Sequence, residues 1–161
     1  GSYMVNTQCA SHFTKRNRWA DAVKSAIDTK FYGKCAHDTD GDISTPEKRL
    51  ELMSKHLFHL AFELGDAKDH ITAGIWEAMS SGVLPILIGA SNLNEHLPFG
   101  SFLSTAGMQH WGDFGALVKE VALNKTKWES YHKYRGDTKL KDHFEERYNF
   151  TRISAECRLC K

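Results

Sequence analysis

The sequence predicts an α/β fold, a doubly wound parallel sheet with helices on both faces, and three observations carry that prediction. Apolar runs of strand length alternate along the chain with segments whose apolar residues recur at helical spacing. Leu57 to Ile88 holds a strand, a helix and a second strand in about 30 residues, the span of one βαβ unit. The second of those strands, Leu84-Pro85-Ile86-Leu87-Ile88, is apolar throughout, the pattern of a strand buried on both faces, as in a parallel sheet covered by helices.

The elements follow in order. Tyr3-Met4-Val5 begins an extended segment, and Cys9 to His12 is the loop that leaves it. Arg16 to Ile27 places Trp19, Ala22, Val23, Ala26 and Ile27 at 3.6-residue spacing, a helix. Phe31-Tyr32 is a short buried strand closed by Gly33. His37 to Ser44 is polar; its Asp38, Asp40 and Asp42 suggest calcium, but the EF-hand positions for Gly and Glu hold Ile43 and Arg49, so a turn at Asp40-Gly41 is the better reading. Pro46 starts a charged helix that includes Lys48 to His56. Leu57 to Phe62 is a strand and Gly65 to Lys68 a loop. Ile71 to Ser81 is a helix capped by Asp69 or Thr72 and stopped by Gly82. After Gly89-Ala90 come a proline-bearing loop, a weak strand near Phe102, a helix from Asp113 to Leu123, and a last helix from Lys127 to Tyr134. Trp19, Trp76, Trp111 and Trp128 read as core or interface residues, with sugar stacking as the alternative use.

Composition narrows the function without naming it. The chain has 161 residues with 21 Lys or Arg and 20 Asp or Glu, a formal net charge of +1. That balance gives no electrostatic reason to expect nucleic acid or an anionic membrane as partner. Val83 to Ile88 is too short to cross a bilayer. Cys157-Arg158-Leu159-Cys160 is a CxxC, open to reading as half a zinc site, a redox pair or disulfide partners. The sequons Asn124-Lys125-Thr126 and Asn149-Phe150-Thr151 tilt toward a secretory lumen, where glycans and disulfides form.

In an open α/β sheet, ligands bind beyond the carboxyl ends of the strands. Four loops converge there: Asn6 to Lys15, Cys35 to Thr45, Glu63 to Thr72, and Gly89 to His96. Two run into helix N-termini, whose free N–H groups and dipole favour an anion such as phosphate. Lys15, Arg16 and Arg18 stand at the first of these helix starts, with fork-shaped donors suited to phosphate. His70 reads on its own as a surface histidine. Residue reasoning therefore arrives at a domain that binds something phosphorylated, a nucleotide above all.

Phe58-His59-Leu60-Ala61-Phe62-Glu63, Asp69-His70-Ile71-Thr72, Ile75-Trp76 and Gly82-Val83-Leu84-Pro85-Ile86-Leu87-Ile88-Gly89 together resemble the signature of the α1,3-fucosyltransferases of glycosyltransferase family 10, roughly FxLAFENSxxxDYxTEKxWxAxxxGxVPVxxG. The likeness extends to Asn6-to-Cys9 with Arg16, to Phe31-Tyr32-Gly33-Lys34-Cys35, and to Leu97-Pro98 with Ser101-Phe102. The ending Glu156-Cys157-Arg158-Leu159-Cys160 is similar to that of plant and invertebrate core fucosyltransferases.

The resemblance implies one Rossmann-like half of a GT-B glycosyltransferase, the C-terminal, donor-binding half. Residues 1–135 would be the nucleotide-sugar domain, and 136–161 a tail packing back on it or on an N-terminal half. It implies an inverting transfer of fucose from GDP-fucose to an N-acetylglucosamine hydroxyl in protein N-glycosylation, with no cofactor and no obligatory metal. The implied partners are GDP-fucose or another nucleotide sugar, a glycan acceptor and the N-terminal acceptor domain; the implied location is the Golgi lumen, in a type II membrane-anchored glycoprotein. The catalytic base would belong to that N-terminal half, leaving no catalytic residue in this chain.

Residue by residue, Arg16 matches the family's phosphate-contacting arginine and Glu63 the Glu of its FEN. The family's next two residues, Asn and Ser, are Leu64 and Gly65 here, and His70 stands at the family Tyr. Thr72 keeps the Thr of TEK, but Ala73 and Gly74 replace its Glu and Lys, which are expected on the donor ribose and diphosphate. The expected donor-binding set is thus Arg16, Glu63, His70, Thr72, Ala73 and Gly74. Such a site implies weak GDP-fucose binding, a different sugar nucleotide, or a silent domain serving as a sugar-nucleotide-binding or regulatory module. A Cys9–Cys35 disulfide is expected between the ends of two adjacent strands, about 5 Å apart. Cys157 and Cys160 would pair with each other or with the missing half.

Overall fold

Leu84–Ile88 lies where its composition puts it, inside a parallel sheet with a strand on either side. The computed structural model describes residues 1–5, 14–33, 40–63 and 65–138. Within them run β1 (Ser2–Val5), α1 (Thr14–Ala26), β2 (Thr29–Tyr32), α2 (Pro46–Met53), β3 (Phe58–Phe62), α3 (Ala73–Ser81), β4 (Leu84–Ile88), α4 (Leu93–His96), β5 (Leu103–Ser104), α5 (Trp111–Leu123) and α6 (Lys125–Ser130), ending in a 3-10 turn over Lys133–Gly136. The strands pair in the order β2-β1-β3-β4-β5, every pair parallel. The α/β doubly wound expectation holds.

Side-chain alternation assigns the two faces. Phe58 and Leu60 of β3, Leu84 and Ile86 of β4 and Phe31 of β2 meet Trp19, Ala20 and Val23 of α1 and Phe114, Val118 and Val121 of α5 in one core. The opposite side chains, Ala61 and Leu87, pack with Ile75 of α3 and Leu93 of α4, while Tyr32 packs with Met53 of α2 and Ala78 of α3. Two-faced burial is what makes an uninterrupted apolar strand stable in β4. Pro85 is tolerated there, in register with His59 of β3.

Several element ends differ from the sequence expectation. α3 begins at Ala73, two residues later than Ile71, because Thr72 is still extended (φ −94, ψ 173). Gly82 stops it as expected, in the left-handed conformation at φ 86, where a side chain would be strained. α5 starts at Trp111 rather than Asp113. α6 starts at Lys125 and breaks at Ser130, the chain then tightening into the 3-10 turn. Asn124 caps α6, its side chain accepting from the Lys127 N–H at 2.9 Å, so the first sequon asparagine has a helix-capping role in the fold. The four-residue helix α4 had no signal in the sequence pattern. Trp111, expected in a core or interface, is 42% exposed. Among the described residues no helix is long and apolar enough to cross a membrane.

Candidate functional site

A strand order of 2-1-3-4-5 reverses direction between β1 and β3, and the crevice beyond their carboxyl ends is the expected ligand seat. The loop leaving β1 leads into α1, and the loop leaving β3 leads into α3. Both helices therefore start from the carboxyl end of the sheet.

The loop after β3 is organised by Glu63. This buried carboxylate accepts from the Thr72 backbone N–H at 2.9 Å and from the Thr72 hydroxyl at 2.7 Å, and its own N–H donates to Ile88 O at 2.7 Å. His70 Nε2 stands 3.8 Å from the other carboxylate oxygen. Gly89 makes this packing possible: a Cβ there would lie 2.8 Å from Glu63 Cγ. The Thr72 hydroxyl donates to Glu63 and accepts no capping hydrogen bond, so α3 starts without a side-chain cap, leaving its first N–H groups available to an anion. Of the two caps expected for α3, Thr72 holds the N-cap position without making the capping hydrogen bond, and Asp69 does something else.

Asp69 has φ 64, the one non-glycine residue in the left-handed region among those described. Its N–H donates to Asn92 Oδ1 at 3.0 Å, and its Oδ1 accepts from Asn92 Nδ2 and faces His96 Nε2, each at 2.8 Å. The Asn92 hydrogen bond, with His96 second, holds the Asp69 carboxyl below the usual carboxylate range. Loop 65–72 is thereby fastened to the segment that follows β4.

Ala73 is exposed and Gly74 half-buried in the first turn of α3. A Cβ on Gly74 would meet His59 Nε2 at 3.6 Å and Thr72 Oγ1 at 3.9 Å, ordinary contact distances. A Cβ at this position would fit without a clash. The charges the sequence places on this loop are Asp66, Lys68 and Asp69, all exposed, with Glu63 buried behind them.

The fold thus brings Glu63, His70, Thr72, Ala73 and Gly74 together at one mouth. Arg16 occupies the first turn of α1, on the other side of the switch point. Arg18, expected beside the anion, instead places its guanidinium 5.0 Å over the Trp111 ring, on a groove of about 610 Å³ between α1 and α5. Cys9, Cys35, Cys157 and Cys160, and with them both expected disulfides, lie outside the described residues, as do residues 34–39 and residues 139–161 of the expected tail. Sequence reasoning gave no role to His59, Asn92 and His96. A histidine inside the apolar Phe58-to-Phe62 strand was the available signal for the first. The other two become visible only once β4's exit loop is folded against β3's. Among the described residues no group of three or more His, Cys, Asp or Glu side chains is placed to hold a metal ion.

The sequence model described as the C-terminal part of glycosyltransferase family 10 (fucosyltransferase) matches residues 2–161. An Arabidopsis thaliana α-(1,4)-fucosyltransferase is 25% identical over 176 residues, covering 99% of this chain and 43% of its own length. A GDP-fucose protein O-fucosyltransferase 3 from Xenopus laevis is 26% identical over 119 residues, 69% of this chain and 25% of its own. The chain therefore spans about a quarter to two fifths of such relatives. A crystal structure of an α1,3-fucosyltransferase with GDP-fucose superposes with a TM-score of 0.71 at 18% identity, covering 81% of this chain and 37% of that one.

Proposed function

From a chain that belongs to glycosyltransferase family 10, the fucosyltransferases, we propose the donor-binding half of an inverting enzyme that transfers fucose from GDP-fucose to an N-acetylglucosamine hydroxyl in protein N-glycosylation. The observation that carries this reading is the uncapped start of α3 at the β1/β3 switch point, where the chain order also leads from β1 into α1. A departing GDP develops charge on its diphosphate, and fixed donors aimed at that charge lower the barrier. In this reading the α3 N–H groups and Arg16 are those donors. Glu63 does not touch phosphate; it holds Thr72 and so fixes where α3 begins. Displacement occurs in one step, without an obligatory metal.

The acceptor's proton is removed by a base in the N-terminal half of the full-length enzyme. Without that base this chain turns over poorly, since general-base catalysis contributes typically ~10²–10⁴-fold. The Golgi lumen, a type II anchor, glycosylation, and the Cys9–Cys35 and Cys157–Cys160 disulfides belong to the same proposal. A second reading, a degenerate domain that binds a sugar nucleotide without transferring it, is favoured by Ala73-Gly74 in place of Glu-Lys.

Calorimetric titration of the 161-residue chain with GDP, GDP-fucose, GMP and UDP-sugars tests both. The proposal expects measurable, weak binding of the guanosine diphosphates. It further expects the double substitution Ala73→Glu, Gly74→Lys to tighten GDP about 10-fold or more, because a charged hydrogen bond is worth ~1.5–3 kcal/mol. No binding of any nucleotide by either form would overturn the donor-site reading. Tight binding without transfer, after an acceptor half is supplied in trans, would select the degenerate module.

A further inference from the structure

We propose that Asp69 is a positioning residue for the diphosphate seat, acting through a latch with Asn92 and His96; this rests on the donor-site reading above. Loop 65–72 carries His70 and ends on Thr72, the residue from which α3 starts. It makes a turn of its own, His70 N–H to Ala67 O at 3.1 Å, and Asp69 fastens that turn to the rest of the fold. The attachment is reciprocal. Backbone of Asp69 bonds the side chain of Asn92, and the side chain of Asp69 bonds Asn92 and His96 in return. Asn92 Nδ2 also reaches Glu95 Oε2 at 3.2 Å, so the latch is braced by α4.

Three features separate this arrangement from ordinary loop packing. Asp69 stays left-handed although it carries a Cβ, a conformation that persists where surrounding bonds over-determine it. His96, with a side chain 14% exposed, is the half-buried jaw, while Asp69 itself is 59% exposed; the latch contributes little apolar burial and serves geometry instead. It also joins the loops after β3 and β4, two of the loops that border the seat. Released, residues 66–70 would retain only their own turn between the packed Ile71 and the strand end, and His70 would lose its fixed position 3.8 Å from Glu63. The seat would then be ordered at the moment of binding, at an entropic cost the latched loop has already met.

The test compares GDP with GMP, which lacks the second phosphate, on the wild-type chain and on Asp69→Ala, Asp69→Gly, Asp69→Asn and Asn92→Ala. Asp69→Asn keeps an acceptor oxygen for Asn92 and His96 and should bind GDP as wild type does. Asp69→Ala and Asn92→Ala should each weaken GDP about tenfold, with the double variant no worse than either, and with GMP affinity unmoved. Asp69→Gly relieves the backbone but removes the carboxylate half of the latch, so it should behave as Asp69→Ala. Wild-type GDP affinity in Asp69→Gly, or equal losses for GDP and GMP, would overturn the positioning role. Absence of any GDP binding by the wild-type chain would remove the donor-site reading and the latch's role together.

Discussion

At the amino edge of the sheet, side chains complete the backbone: Trp128 Nε1 donates to Leu57 O at 3.1 Å, Arg135 Nη2 to Met79 O at 2.7 Å, and His132 Nε2 lies 3.2 Å from Gly82 O. At the carboxyl edge, polar side chains hold one another: Glu63 with Thr72 and His70, and Asp69 with Asn92 and His96. The first plan spends side-chain donors on carbonyls and closes a surface. The second fixes loops while leaving the start of α3 uncapped. One edge closes a surface and the other holds the loops at the proposed donor site, and substitutions should separate the two.

The largest effect is expected at the amino edge. Trp128→Ala removes an indole that packs on the core and stacks on His132 at 4.0 Å between ring centroids. It also takes from Leu57 O one of its two donors, leaving the Leu84 N–H. Chemical denaturation should show a loss of about 3 kcal/mol, while the folded fraction binds GDP unchanged. A large change in GDP affinity would show that the two edges are coupled.

Gly89→Ala should do the reverse. The new Cβ meets Glu63 Cγ and Cβ, not the flexible end of the side chain. Overpacking of this kind costs about 1–3 kcal/mol, and displacing Glu63 releases Thr72. The expected outcome is a modest fall in stability with GDP binding lost. If GDP binds normally, Glu63 does not set the start of α3.

The smallest effect is a pH dependence that distinguishes the edges. Burial, ahead of other causes, pushes His56 and His132 below the ordinary 6.5. Both stand at the amino edge, His56 with Nδ1 on Leu52 O. Their folded forms favour the neutral ring, so the unfolded chain takes up protons first as pH falls below ~6.5, and stability declines with it. Asp69 contributes with the same sign at lower pH: its depressed carboxyl stays ionised in the fold until pH drops below the ordinary carboxylate range, where that stability is lost. Melting temperature should thus fall between about pH 7 and pH 5, and His132→Gln should flatten that slope. A slope unchanged by His132→Gln would place the responsible proton elsewhere.

How much of this was legible in the sequence follows from what each element depends on. β4 advertised itself because burial on both faces requires an apolar residue at every position, and Gly82 marked the end of α3 because the left-handed cap favours glycine. β5 is two residues long and exists through its pairing, Ile86 with Leu103 and Leu87 with Ser104; the sequence shows it only as the weak strand expected near Phe102. The signature residues located the mouth, but the contact of Glu63 with Thr72 spans nine residues and appears only when the loop folds back. The sequence offers Asp69, beside Thr72, as a cap because Asp near a helix start usually is one. Its partners, Asn92 and His96, come from the far side of β4, and sequence spacing holds no record of that meeting.

The central claim is that the crevice between β1 and β3 receives the diphosphate. Titrating GDP into the ¹⁵N-labelled chain and mapping amide shifts tests it most directly. The expected map is centred on Glu63, Thr72, Ala73 and Gly74 with the first turn of α1. Shifts confined to the α1–α5 groove around Arg18 and Trp111, or to the amino edge around Trp128 and His132, would contradict it.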